Sequence, residues 1–163
     1  NGHKPMLDYR GGKYSLYEAG TRIPFILRWP AAVAPGKQQG LFSQIDVYAS
    51  LAEILEQPLA KGAAPDSKAR PMALLGRDQA DREYIVEQNL NNTLAIVSGN
   101  WKYLEPSDKP AIEFWTKMEL GNNPKGELYN LESDPNETNN VIKDHPEIAQ
   151  KLAAELEKVK NQK

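Results

Sequence analysis

The stretch that most constrains the fold is the pair of runs Leu94-Ala95-Ile96-Val97 and Trp101-Lys102-Tyr103-Leu104. Both are short and rich in β-branched and aromatic residues. Ser98-Gly99-Asn100 between them reads as a three-residue loop with a central glycine, so the pair predicts an antiparallel hairpin. A hairpin alone is marginal in water. Glu83-Tyr84-Ile85-Val86-Glu87 upstream predicts a further strand, and residues 127–131 predict another after a polar excursion through Pro106, Pro110 and Gly121. The resulting small sheet needs a cover, and the C-terminal helix supplies it. Asp144 reads as the cap, Pro146 falls in the first turn, Glu147 lies three residues after the cap, and Ile148, Leu152, Leu156 and Val159 line one face. Glu155, Glu157, Lys158 and Lys160 read as the solvated face, and His145 as a surface residue.

The N-terminal half has a different texture. Ile23, Phe25, Ile26, Leu27 and Trp29 form an apolar run punctuated by Pro24 and Pro30, which predicts a strand in a mostly buried sheet. A loop over 31–40 leads to Ile45, Tyr48, Leu51, Ala52 and Leu55 at helical spacing. They predict a helix over 44–56 with Ser43 and Asp46 as a capping box and Pro58 as its stop. Residues 57–81 carry scattered Pro and Gly and read as a surface linker, with one short helical turn at Ala73-Leu74-Leu75.

Composition narrows the function classes. A chain of 163 residues with 40% apolar and 26% charged residues can bury one core. A formal net charge of -2 argues against a nucleic-acid binder held by general electrostatics. No window reaches the roughly 18 apolar residues needed to span a bilayer. With no cysteine there is no disulfide, thiolate metal site or cysteine nucleophile in the chain, and His3 and His145 are too few for a histidine-rich metal site.

One segment carries chemistry. Gly11 and Gly12 allow close backbone approach and Lys13 follows with a cation on a flexible stem, a combination suited to a sulfate or phosphate oxygen. It is not a Walker A loop, because Leu7 stands where that motif needs glycine and Tyr14 where it needs Ser or Thr. Tyr14 and Tyr17 read as packing residues, and Arg22 as a structural partner of a carboxylate.

Asn1-Gly2, Gly12-Lys13, Tyr17-Glu18-Ala19-Gly20-Thr21-Arg22-Ile23-Pro24 and Trp29-Pro30 resemble, in that order, motifs of the sulfatase family in the alkaline phosphatase superfamily. Leu128-Tyr129-Asn130-Leu131 followed by Asp134-Pro135-Asn136-Glu137 and by Asn140-Val141 is similar to a tail signature of the same family. Ala19 departs from the commoner glycine. The resemblance implies an α/β fold, α+β within this chain: a remnant of the main sulfatase sheet plus a small four-stranded antiparallel sheet packed by a C-terminal helix. The implied layout is 1–60 as the end of the catalytic domain, 61–82 as a linker and 83–163 as the sheet-plus-helix subdomain. A chain opening directly on the family's Asn-Gly step reads as a piece of a longer protein.

The resemblance also implies a chemistry. Lys13 is the catalytic residue, neutralising a sulfate oxygen or assisting the leaving group. Asn1 is a ligand of calcium in the full-length enzyme, and His3 is a substrate contact, although by itself an isolated loop histidine reads as polar surface. The nucleophile would be a formylglycine from a residue outside this chain, since no serine here begins Ser-x-Pro/Ala-x-Arg. The partners are a sulfated small molecule or glycan and the N-terminal portion of the same protein, and the location is periplasmic or extracellular. The chain alone is expected to be inert. Two rival readings stand beside this one: a phosphate or phosphonate ester hydrolase of the same superfamily, and a non-catalytic glycan- or partner-binding module. Trp101 and Trp115 exposed on one surface would favour the module, and Trp115 lies in 111–120, which fits no family motif.

Overall fold

The computed structural model describes residues 6–77 and 82–162. It divides into two compact units, one of residues 1–24 with 86–163 and one of residues 25–85.

The first unit is built on the predicted sheet. Strands β1 (Ile85–Gln88), β2 (Leu94–Ser98), β3 (Trp101–Leu104) and β4 (Glu127–Asn130) lie in the order β1-β2-β3-β4. The β2–β3 and β3–β4 pairs are antiparallel. Ser98 pairs with Trp101, so the turn is the two residues Gly99-Asn100 rather than the expected three, and Gly99 supplies a φ of +54°. Register then sorts the side chains. Ala95 opposite Leu104, and Lys102 opposite both Val97 and Tyr129, share one face, while Ile96, Tyr103 and Leu128 share the other.

Each face has its own cover. On the first, Leu16 and Tyr17 join Ala95, Leu104 and Tyr129 in a buried cluster, with Leu131 packed against it. Full burial of one such leucine contributes about 1.5–3 kcal/mol. Leu16 and Tyr17 lead into α1 (Glu18–Thr21), a single helical turn. Helix α4 (Pro146–Lys160) packs against β2 and β3 with Ala149, Leu152 and Leu156 buried. Ile148 and Val159 at its flanks are half-buried. Its N-cap is His145 and not the expected Asp144, and His145 makes no side-chain cap bond; Pro146, whose missing N–H costs nothing at the helix start, takes the first helical position. Lys160 is not simply solvated, because it bonds Glu105 as well as Glu157.

Where the second unit begins, one expectation fails for a physical reason. Residues 23–29 form no strand; Ile26 is 89% exposed, and Ile23 and Phe25 are about half exposed. A buried strand exists only by virtue of ladder partners on both edges, and none of β1–β4 pairs with this run. The expected helix forms as α2 (Asp46–Ile54). Its apolar stripe of Tyr48 and Leu51, with Ile45 and Leu55 just beyond its ends, is exposed, and its buried residues are Asp46, Ala49 and Ser50.

Asp46 corrects the capping-box reading. Ile45 is the N-cap, without a side-chain cap bond. Asp46 Oδ1 accepts the Lys68 N–H at 2.9 Å and lies 3.4 Å from Arg82 Nη1, with both side chains buried. Ser50 Oγ donates to the Asp46 carbonyl oxygen and accepts the Arg70 N–H at 2.9 Å. The buried polar side of α2 therefore staples 67–70 in place. The expected helical turn follows as α3 (Pro71–Leu74), with Ala73 and Leu74 buried.

Candidate functional site

Lys13 occupies a turn closed by the Ser15 N–H on the Gly12 carbonyl oxygen at 3.0 Å. Gly11 has φ +81° and Tyr14 has φ +82°, a conformation that costs a non-glycine residue strain and persists only where the surroundings enforce it. The surroundings do so. A Cβ on Gly20 would lie 2.4 Å from the Ser15 carbonyl oxygen and 2.6 Å from that of Gly12, so α1 sits on the turn at a distance only glycine permits. A Cβ on Gly12 would lie 2.8 Å from Met118 Sδ. The Ala19 N–H donates to the Arg10 carbonyl oxygen, Leu16 N–H to that of Leu120, and Leu90 N–H to that of Tyr14. Ala19, where the family motif commonly has glycine, is buried within α1.

On this clamped turn Lys13 is exposed, its Nζ 4.9 Å from the Tyr14 ring centroid. A solvated cation on a rigid backbone can meet an anionic oxygen with little reorganisation. Asn1 and His3 lie outside the described residues. Among the described residues there is no grouping of three or more His, Asp or Glu side chains that could hold a metal ion.

Beneath the turn runs a charged network that sequence reasoning missed. Lys102 is fully buried, with its Nζ 3.0 Å from Glu18 Oε1, 3.1 Å from Glu87 Oε2 and 3.3 Å from Glu137 Oε1. Glu137 Oε2 accepts the Glu18 N–H at 2.6 Å, so the glutamate of the tail motif satisfies the first amide of α1. Two motifs more than a hundred residues apart thus meet at one lysine. Burial opposes the Lys102 charge, but Glu87, Glu137 and Glu18 outweigh it and hold the ammonium above its ordinary range. Burial pushes the Glu137 carboxyl up to about 7 against the pull of Lys102, and raises Glu87 in the same way. Three carboxylates around one ammonium leave an excess of negative charge, which a proton on one of them relieves.

Arg10 ties the same pieces from the other side. Its Nε donates to Glu119 at 2.7 Å, and its Nη1 to the Tyr129 hydroxyl at 3.0 Å and the Glu137 carbonyl oxygen at 2.9 Å. Tyr17 and Tyr129 hydroxyls both donate to Glu127 Oε2. Burial first, and then Glu127, raises both phenols. Arg22 pairs with Glu18 at 3.2 Å, the carboxylate partnership expected of it. The one sequence signal for the network was a lysine in the middle of the apolar run 101–104.

No protein-family model matches this chain. It is 67% identical over 160 residues to an N-acetylgalactosamine-6-O-sulfatase of Bacteroides thetaiotaomicron, covering 98% of this chain and 31% of that protein. Arylsulfatase A of Homo sapiens is 26% identical over 147 residues, covering 82% of this chain and 28% of its own length. A solved structure from work on the metabolism of multiple glycosaminoglycans by Bacteroides thetaiotaomicron superposes with a TM-score of 0.96 at 66% identity, over 99% of this chain and 34% of that one. The chain thus spans about a third of the length of the relatives it matches. The motif order, the antiparallel sheet with its helix and these similarities agree: the chain belongs to the sulfatase family.

Proposed function

We propose that this chain is the C-terminal part of an exported glycan sulfatase that cleaves the 6-O-sulfate ester of N-acetylgalactosamine residues. The observation that carries the reading is the 67% identity, across 98% of the chain, to a protein named for that activity. The exposed Lys13 on its clamped turn supports it. In this reading Lys13 meets a non-bridging sulfate oxygen and stabilises the charge that grows there as the ester bond breaks. Arg10, Gly20 and the Lys102 network position Lys13 and touch no substrate.

The family's calcium and formylglycine do not find their residues among those described. No acidic grouping suited to a metal is present among them, and the chain has no cysteine and no serine in the required motif. In this reading the formylglycine and the calcium ligands other than Asn1 belong to the remainder of the protein, and the isolated chain is inert. The exposed run 23–29 and the exposed stripe of α2 are the surfaces that remainder would bury. Among the described residues no helix is long and apolar enough to cross a membrane. The test is sulfate release by the complete gene product from N-acetylgalactosamine 6-sulfate, its 4-sulfate isomer and an aryl phosphate. Turnover of the 6-sulfate well above the other two is expected, and preference for the phosphate would transfer the protein to the phosphoesterase reading.

A further inference from the structure

The segment 111–120 stands apart from everything above. Ile112 and Glu119 form an antiparallel bridge, the Glu113 N–H donates to the Met118 carbonyl oxygen at 2.8 Å, and the Leu120 N–H to that of Ala111 at 2.8 Å. At the tip Glu113 Oε2 accepts both the Thr116 N–H (2.5 Å) and the Thr116 hydroxyl (2.6 Å), bonds that hold this carboxyl below its usual range. The loop is therefore internally braced. What it presents is apolar: Trp115 is 83% exposed and Phe114 67% exposed, with ring centroids 4.8 Å apart and planes at 85°. A braced loop that holds two large aromatic rings in water, at right angles to each other, serves no packing purpose within the described residues.

We propose that Phe114 and Trp115 form a stacking corner for a pyranose ring of the substrate glycan, next to the sugar whose sulfate Lys13 meets. This inference rests on the sulfatase reading. Two observations favour a sulfated sugar over a protein partner. The loop is fixed to the Lys13 turn, through Met118 against Gly12 and through the Glu119 ion pair with Arg10. The tip also offers a cation: Lys117, exposed, holds its Nζ 4.5 Å from the Phe114 ring centroid, with the Glu113 carboxylate turned onto Thr116. An aromatic face beside an exposed ammonium complements the C–H face of a sugar bearing sulfate groups. Trp115 also offers an indole N–H to a sugar hydroxyl.

The complete protein tests this with Trp115→Ala, Trp115→Phe and Phe114→Ala. The readout is the ratio of kcat/KM for a 6-O-sulfated tetrasaccharide to kcat/KM for the monosaccharide 6-sulfate. Removing Trp115 should lower that ratio roughly 2- to 10-fold, with the phenylalanine variant keeping most of it. A second readout, calorimetric binding of the same tetrasaccharide, should weaken by a similar factor in the alanine variant. An unchanged ratio together with unchanged binding overturns the proposal. A parallel loss on both substrates with a lower melting temperature overturns it too, assigning the aromatic pair to packing against the remainder of the protein. If the wild-type protein releases sulfate from neither substrate, the sulfatase reading fails, and the binding readout still decides whether Trp115 stacks on a sugar.

Discussion

Replacing Lys102 with methionine keeps most of the side chain's length and removes its charge. The lysine is fully buried and lies within 3.3 Å of carboxylate oxygens from Glu18, Glu87 and Glu137. After substitution Glu18 retains Arg22 and Glu137 retains the Glu18 N–H, but Glu87 loses its cation. Breaking a buried ion pair by deleting one partner costs about 3–5 kcal/mol. At 1.4 kcal/mol per tenfold, β3 amides that exchange through opening of this region should exchange roughly 10²- to 10³·⁵-fold faster at pH 8, after correction for intrinsic rates. The stranded carboxylates can take up protons, so the deficit should narrow toward acid by about 1.4 kcal/mol per pH unit per proton bound. Hydrogen–deuterium exchange resolved to β3 in the complete protein makes the measurement. Acceleration below tenfold at pH 8, or a deficit that widens as pH falls, would refute the idea that Lys102 neutralises this cluster.

Glu137 gives a prediction of definite sign. Its folded-state carboxyl is raised to about 7, so the folded protein binds more protons than the unfolded chain between the ordinary glutamate range and pH 7. Its contribution is present at acid pH and lost as pH rises through 7; Glu137→Gln should flatten the stability profile between pH 5 and 8, which urea titrations at several pH values would read. Lys102, raised above its ordinary value, contributes in the opposite region: its part is intact below about pH 10.5 and lost only in stronger alkali. Gly20→Ala should cost about 1–3 kcal/mol and lower sulfate release, because its Cβ would overlap two carbonyl oxygens of the Lys13 turn; thermal melts beside kinetics check it.

The elements that carry their own partners were legible in the sequence. β2 and β3 face each other across two residues, and α4 announces itself by Pro146 and the Leu152–Leu156 spacing, so local pattern and tertiary role coincide. Residues 23–29 read as a buried strand, yet their apolar side chains are exposed, because hydrophobic pattern reports the surface an element is made to bury and not which chain segment buries it. Asp46 passed for a cap because Ser43 stood three residues before it, whereas its ligands, the Lys68 N–H and Arg82, are distant in sequence. Lys102 was invisible for a related reason: a lysine in a strand reads as solvent-facing unless its carboxylates are known, and Glu18, Glu87 and Glu137 come from three other segments. The turn at Lys13 was marked in the sequence by Gly11 and Gly12, whereas the positive φ of Tyr14 on its other side is visible only in the fold.

The central claim is that Lys13 acts on the sulfate while the buried network only positions it. Its most direct test is Lys13→Ala in the complete protein, with kcat/KM for N-acetylgalactosamine 6-sulfate and β3 hydrogen exchange measured on the same sample. Removal of one such charged contact should lower kcat/KM by roughly 10²- to 10³-fold and leave exchange unchanged, since Lys13 is exposed. Sulfate release within threefold of wild type would contradict the account.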